Sequence, residues 1–128
     1  MSTYEDALAL GRSFHQALIS ADWEGIRALL HEDATWTLPG DNAVSGTAAG
    51  ADAVVERAQR IASYGLDFAL LHLLVSRENL ALSLHNTARR GDVVLDEYLA
   101  TVCRLRDGRI AGIETYLSDV AGMDAFFV

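Results

Sequence analysis

The second half of the chain, from Leu66 to Leu117, is a run of four long β-prone segments separated by breaks of two or three residues. The segments are Leu66–Ser76, Asn79–Arg89, Val93–Leu105 and Arg109–Leu117; the breaks are Arg77-Glu78, Arg90-Gly91-Asp92 and Arg106-Asp107-Gly108. Links this short join antiparallel neighbours, because a parallel crossover needs a dozen residues or more. Asp107-Gly108 strengthens the reading, since the tight hairpin turn asks for positive φ at its central positions. Such a meander has an apolar face that the first half of the chain must cover.

The first half supplies the cover. From Tyr4 to Ser20, Ala7, Leu10, Phe14 and Leu18 recur at spacings of three and four, which predicts an amphipathic helix. Ser2 with Glu5, or Thr3 with Asp6, offers a capping pair. Asp22 is the expected cap of a short helix over Trp23–His31, burying Ile26, Leu29 and Leu30. Ala34–Pro39 is a short strand closed by its proline, and Gly40–Gly50 a loop. A third helix runs over Ala51–Ser63, with Val54, Val55, Ala58 and Ile61 on one side. Ser118–Val128 is a short tail ending in Phe126-Phe127. Helices followed by hairpin-linked strands predict an α+β fold: three helices packed on a strongly curved, mostly antiparallel sheet. The chain, 1–128, reads as a single domain, with a pocket between helices and sheet.

Composition narrows the chemistry. All ten basic residues are Arg, so lysine Schiff bases, pyridoxal phosphate attachment and a P-loop are excluded. Acids outnumber bases 18 to 10, and the arginines are dispersed, so no nucleic-acid partner is expected. The single Cys103 excludes an internal disulfide and any multi-cysteine metal site. The most apolar run, Leu70–Val75, is too short for a membrane span and is broken by His72. An acidic N-terminus unlike a signal peptide completes the expectation of a cytoplasmic protein with no membrane partner.

Five stretches carry a family resemblance: Ala21-Asp22-Trp23-Glu24-Gly25-Ile26, Asp33-Ala34-Thr35-Trp36, Ser45-Gly46-Thr47-Ala48-Ala49, Leu105-Arg106-Asp107-Gly108-Arg109-Ile110, and Asp119 through Phe127. Through them the chain resembles the nuclear transport factor 2-like superfamily, and within it the SnoaL-like proteins. The resemblance implies a conical barrel around an apolar pocket and leaves activity open, since isomerases, cyclases, epoxide hydrolases and binding modules share the fold. Against ketosteroid isomerases, the carboxylate base falls on Leu38, the oxyanion-hole tyrosine on Phe14 and the second oxyanion acid at about Thr101. Against limonene epoxide hydrolases, the two carboxylate positions fall on or near His85 and Thr115. Against SnoaL-type polyketide cyclases, the acid/base aspartate just after the last strand falls at Asp119.

The same resemblance turns Ser83, His85 and Thr87 toward the pocket, and Phe68, Leu70 and His72 with them. His85 is then the expected base or proton shuttle, Asp119 its acid/base partner, and His72 a group that orients or polarises substrate. Asp119 has the parity of Ile113, Thr115 and Leu117; its other reading is an N-cap for the tail. Phe14, Leu18, Trp36, Leu38 and Phe68 form an apolar wall for substrate, with Thr87, Thr101, Ile113 and Thr115 completing the lining. Asp96-Glu97 reads as a solvated strand end. Tyr98 and Tyr116 fall on the outer sheet face, where the resemblance implies a homodimer. The histidine spacing matches no metal motif, so neither metal nor cofactor is expected. The function expected is an acid–base isomerase or cyclase acting on a small hydrophobic, polyketide-like or other carbonyl compound. The alternatives are a non-catalytic small-molecule-binding module and an epoxide hydrolase-type enzyme.

Overall fold

The computed structural model describes residues 3–128. The chain folds as α1 (Tyr4–Ile19), α2 (Trp23–Ala28), β1 (Leu30–Leu38), β2 (Gly46–Ala49), α3 (Ala51–Ala62), β3 (Asp67–Ser76), β4 (Asn79–Arg90), β5 (Val93–Arg106), β6 (Arg109–Leu117) and α4 (Val120–Phe126). The fold is α+β as expected, with a fourth helix in what reads as the tail.

The six strands form one sheet in the order β2-β1-β6-β5-β4-β3. The meander β3 to β6 is antiparallel throughout, and β1 joins it parallel to β6. The edge strands β2 and β3 do not pair with each other, so the sheet is strongly bent but is not a closed barrel. Register shifts at Leu70/His72 and at Arg104/Leu105 interrupt the ladders; an extra residue in one strand bends it and increases its twist. At the β5–β6 turn Asp107 and Gly108 both take positive φ, as the hairpin signal requires.

Local signals account for the helices. Thr3 and Asp6 close a capping box on α1, each side chain bonded to the other's backbone N–H at 3.0 and 3.1 Å; the Ser2 alternative lies outside the described residues. Gly11 lets α1 settle on the sheet: a Cβ there would lie 2.8 Å from a Leu73 methyl. Asp22 caps α2 through Gly25 N–H at 2.9 Å. The expected helix to His31 stops at Ala28 because β6 offers backbone partners: Ile110 N–H donates to Leu29 O, and Leu30 pairs with Ile110. Likewise Gly46–Ala49, read as loop, becomes an edge strand by pairing with β1.

The C-terminal segment closes one end. Asp119 caps α4 through Gly122 N–H at 3.0 Å. Asp124 accepts from Asp41 N–H and Asn42 Nδ2, Phe127 O accepts from Ala43 N–H, and Arg90 donates to Phe126 O. Phe126 and Phe127 are fully buried and meet Tyr64 at tilted and edge-on angles. The core thus has two clusters, one under α1 and α2 and one under α4. No helix among the described residues is long and apolar enough to cross a membrane.

Candidate functional site

Between the two core clusters lies an interior cavity of about 50 Å³. Its wall is mostly apolar: Phe14 and Leu18 from α1, Trp36 and Leu38 from β1, Ile61 from α3, Phe68 from β3, Leu84 from β4, Leu99 from β5, and Met123 and Phe127 from the C-terminal segment.

Two groups of polar side chains break this wall. Across β5 and β6, Thr101 and Thr115 are register partners with hydroxyls 3.5 Å apart, and Trp36 Nε1 donates to Thr115 Oγ1 at 3.0 Å. Trp36 is itself held by Arg57, which donates to its backbone carbonyl at 2.7 Å and lies 5.4 Å from the ring centroid. Further along, Asn86 of β4 and Glu97 of β5 are register partners on the same face. Glu97 and Thr101 are four residues apart on one strand, about 13 Å at the usual rise.

Glu97 is 1% exposed and, among the described residues, has no basic partner. Its Oε1 accepts from Asp119 N–H at 2.7 Å and from Ser118 Oγ at 3.4 Å. Burial pushes its carboxyl above the ordinary range, the Asp119 and Asp96 charges push the same way, and the two hydrogen bonds oppose them. Asn86 is 8% exposed, and its Oδ1 is buried with no hydrogen-bond partner.

Sequence comparison now decides the family. The model of the SnoaL-like domain matches residues 11–113. The chain belongs to the SnoaL-like family. Its fold agrees with solved structures. Bal32a, from a soil-derived mobile gene cassette, is 26% identical, with 97% of this chain and 98% of that chain covered at a TM-score of 0.91. An NTF2-like protein from Burkholderia xenovorans is 21% identical, with 98% of each chain covered at 0.82. TerC, co-crystallised with polyporic acid, is 16% identical, with 94% of this chain and 98% of that chain covered at 0.81. A search of curated proteins finds no match.

Placed on this SnoaL-like domain, the predicted site divides. Phe14, Leu18, Trp36, Leu38, Phe68, Thr101 and Thr115 line the cavity, and Ile113 is buried in the adjoining core. His85 and Thr87 do not reach it. Along β4 the buried set is Leu80, Leu82, Leu84 and Asn86, so Ser83, His85 and Thr87 face outward. There His85 pairs with Asp96 at 2.5 Å and stacks flat on Tyr98, centroids 4.2 Å apart. His72 is also turned out. The β3 bulge adds a residue after Leu70, so Leu73 and Val75 continue the inner row while His72 lies opposite Ser83. Asp119 is exposed, with its carboxylate spent on the α4 cap; its backbone N–H, not its side chain, serves the site.

The cavity-lining carboxyl missed in the sequence is Glu97. It shares parity with Leu95, Leu99 and Thr101, so placing Thr101 inward required Glu97 inward too. Asn86 follows by the same rule from Leu82 and Leu84. Among the described residues no three His, Cys, Asp or Glu side chains gather as a metal-binding group. Burial pushes the Cys103 thiol up to about 12, which removes it as a nucleophile at neutral pH.

Proposed function

We propose that this SnoaL-like domain is a cofactor-independent acid–base enzyme of isomerase or cyclase type, acting on a small hydrophobic carbonyl compound. The observation that carries the reading is Glu97: a carboxyl buried in an apolar cavity, without a cation among the described residues, whose affinity for its proton is raised by that burial. Glu97 takes a proton from the carbon beside the substrate carbonyl and returns it at another position, while the apolar wall excludes water. The Thr101–Thr115 pair anchors a second polar group. Because Trp36 N–H donates to Thr115 Oγ1, that hydroxyl is free to donate in turn.

The test does not depend on which product forms. Small ketones and β-diketones, polyketide-like compounds among them, are incubated in deuterium oxide and watched by NMR for exchange beside the carbonyl. Exchange accelerated by about 10²–10⁴ over buffer and lost in Glu97→Gln supports the reading. Exchange at the buffer rate for every compound that binds would leave the second reading, a non-catalytic binding module. That reading is favoured by Glu97 being the sole carboxylate among the described residues that line the cavity.

A further inference from the structure

We infer that Asn86 is a specificity residue: its side-chain carbonyl selects ligands that carry a neutral hydroxyl, phenolic or enolic, at the Glu97 end of the cavity. The inference rests on the cavity being the functional site, and it deepens that reading by naming the group recognised.

Asn86 Oδ1 is a buried acceptor with no protein donor, in a residue 8% exposed that lines the cavity. Buried polar groups are otherwise paired almost without exception, and an unpaired one is costly enough to need a reason. No backbone role explains Asn86, which sits mid-strand between Phe68 and Glu97 in register. Leucine follows the same pattern two and four residues earlier, at Leu84 and Leu82, and would fill this place without an orphaned atom. The position therefore holds an unpaired buried acceptor in a residue of the cavity lining, beside a carboxyl whose two bonds both fall on Oε1.

A ligand hydroxyl satisfies both neighbours. Its O–H donates to Asn86 Oδ1, and its oxygen accepts from Glu97 when that carboxyl holds its proton. Among the described residues no arginine lines the cavity, so a carboxylate or phosphate would find no counter-charge there. An ether or a hydrocarbon of the same shape would leave Asn86 Oδ1 unpaired, and such sites discriminate strongly against analogues lacking the donor.

The experiment compares phenol, anisole and toluene by NMR titration of methyl signals in the wild-type protein and in Asn86→Leu. Phenol has the donor, anisole keeps only the acceptor, and toluene has neither. The expected result is phenol binding about tenfold tighter than the other two, with the preference abolished in Asn86→Leu. Equal binding of phenol and anisole to wild type overturns the inference, whether or not the variant folds. Retention of the preference in folded Asn86→Leu, or no binding of phenol up to its solubility, overturns it as well. Loss of exchange chemistry in Glu97→Gln without a donor preference sinks this inference alone. A donor preference with fully active Glu97→Gln sinks the proposed chemistry alone.

Discussion

Glu97→Gln gives the domain a pH-dependent stability difference whose sign and limiting slope follow from burial. In the unfolded chain the Glu97 carboxyl titrates near its ordinary value of 4.5, and in the fold burial raises it. Below 4.5 both states hold the proton, and the group contributes no difference. As pH rises, the unfolded state releases its proton first and gains free energy, while the folded state keeps it. Wild-type stability therefore falls with pH until the folded carboxyl also ionises, and is flat above that point. One proton sets a ceiling of about 1.36 kcal/mol per pH unit on the slope. For 128 residues the unfolding entropy is about 0.27 kcal/mol/K, so the ceiling is about 5 °C of Tm per pH unit. Glutamine keeps the shape and an acceptor for Asp119 N–H but cannot ionise. Subtracting the wild-type Tm from that of Glu97→Gln, by calorimetry from pH 4 to 9, removes the titrations the two proteins share. The difference should climb from pH 4.5 and then level off, the plateau marking the folded carboxyl's own titration. A difference that is flat across the range, or that falls with pH, would refute the argument that Glu97 is a buried acid without a cation.

Other expectations follow from placement. Phe127→Ala removes a fully buried ring from the cavity wall and should cost about 3–5 kcal/mol, lowering Tm by about 11–18 °C in thermal unfolding. Asp119→Ala loses the α4 cap and should cost about 1 kcal/mol in urea unfolding while retaining deuterium exchange; loss of exchange at full folding would restore its side chain to the chemistry. His85→Ala and His72→Ala should leave exchange within about twofold of wild type, because both imidazoles face away from the cavity; a loss of more than tenfold would contradict that. The outer sheet face exposes Leu74, Val94, Tyr98 and Tyr116, and the chain is expected to sediment as a homodimer through it; a 13.9 kDa species alone at micromolar concentration would count against this.

The site is legible in the sequence to a different degree on each strand. Alternation alone, applied to Leu80, Leu82 and Leu84, places His85 outward and Asn86 inward; the family resemblance pointed the other way for β4, and the structure follows the alternation. On β3 alternation itself misleads, because the extra residue after Leu70 reverses the parity of His72, and no turn residue marks the bulge. Asp119 carried both of its readings in one residue; an exposed aspartate before a short apolar helix has its capping bond within reach, three residues away.

The sequence by itself determined the order of the first three helices and the long strands, the antiparallel meander and most of the apolar lining. Those are local properties: periodicity, turn residues and caps act over a few positions. Only the tertiary structure decided that β1 runs parallel beside β6, that Gly46–Ala49 pairs as an edge strand, and that Phe126 is buried in the core while Phe127 lines the cavity rather than ending a tail. It also decided the chemistry. Glu97 differs from a solvated strand-end acid in nothing local; what removes its water is the packing of β4, β6 and α4 around it. Burial is a sum over neighbours distant in sequence, and with it comes the shift that makes this carboxyl the candidate proton carrier.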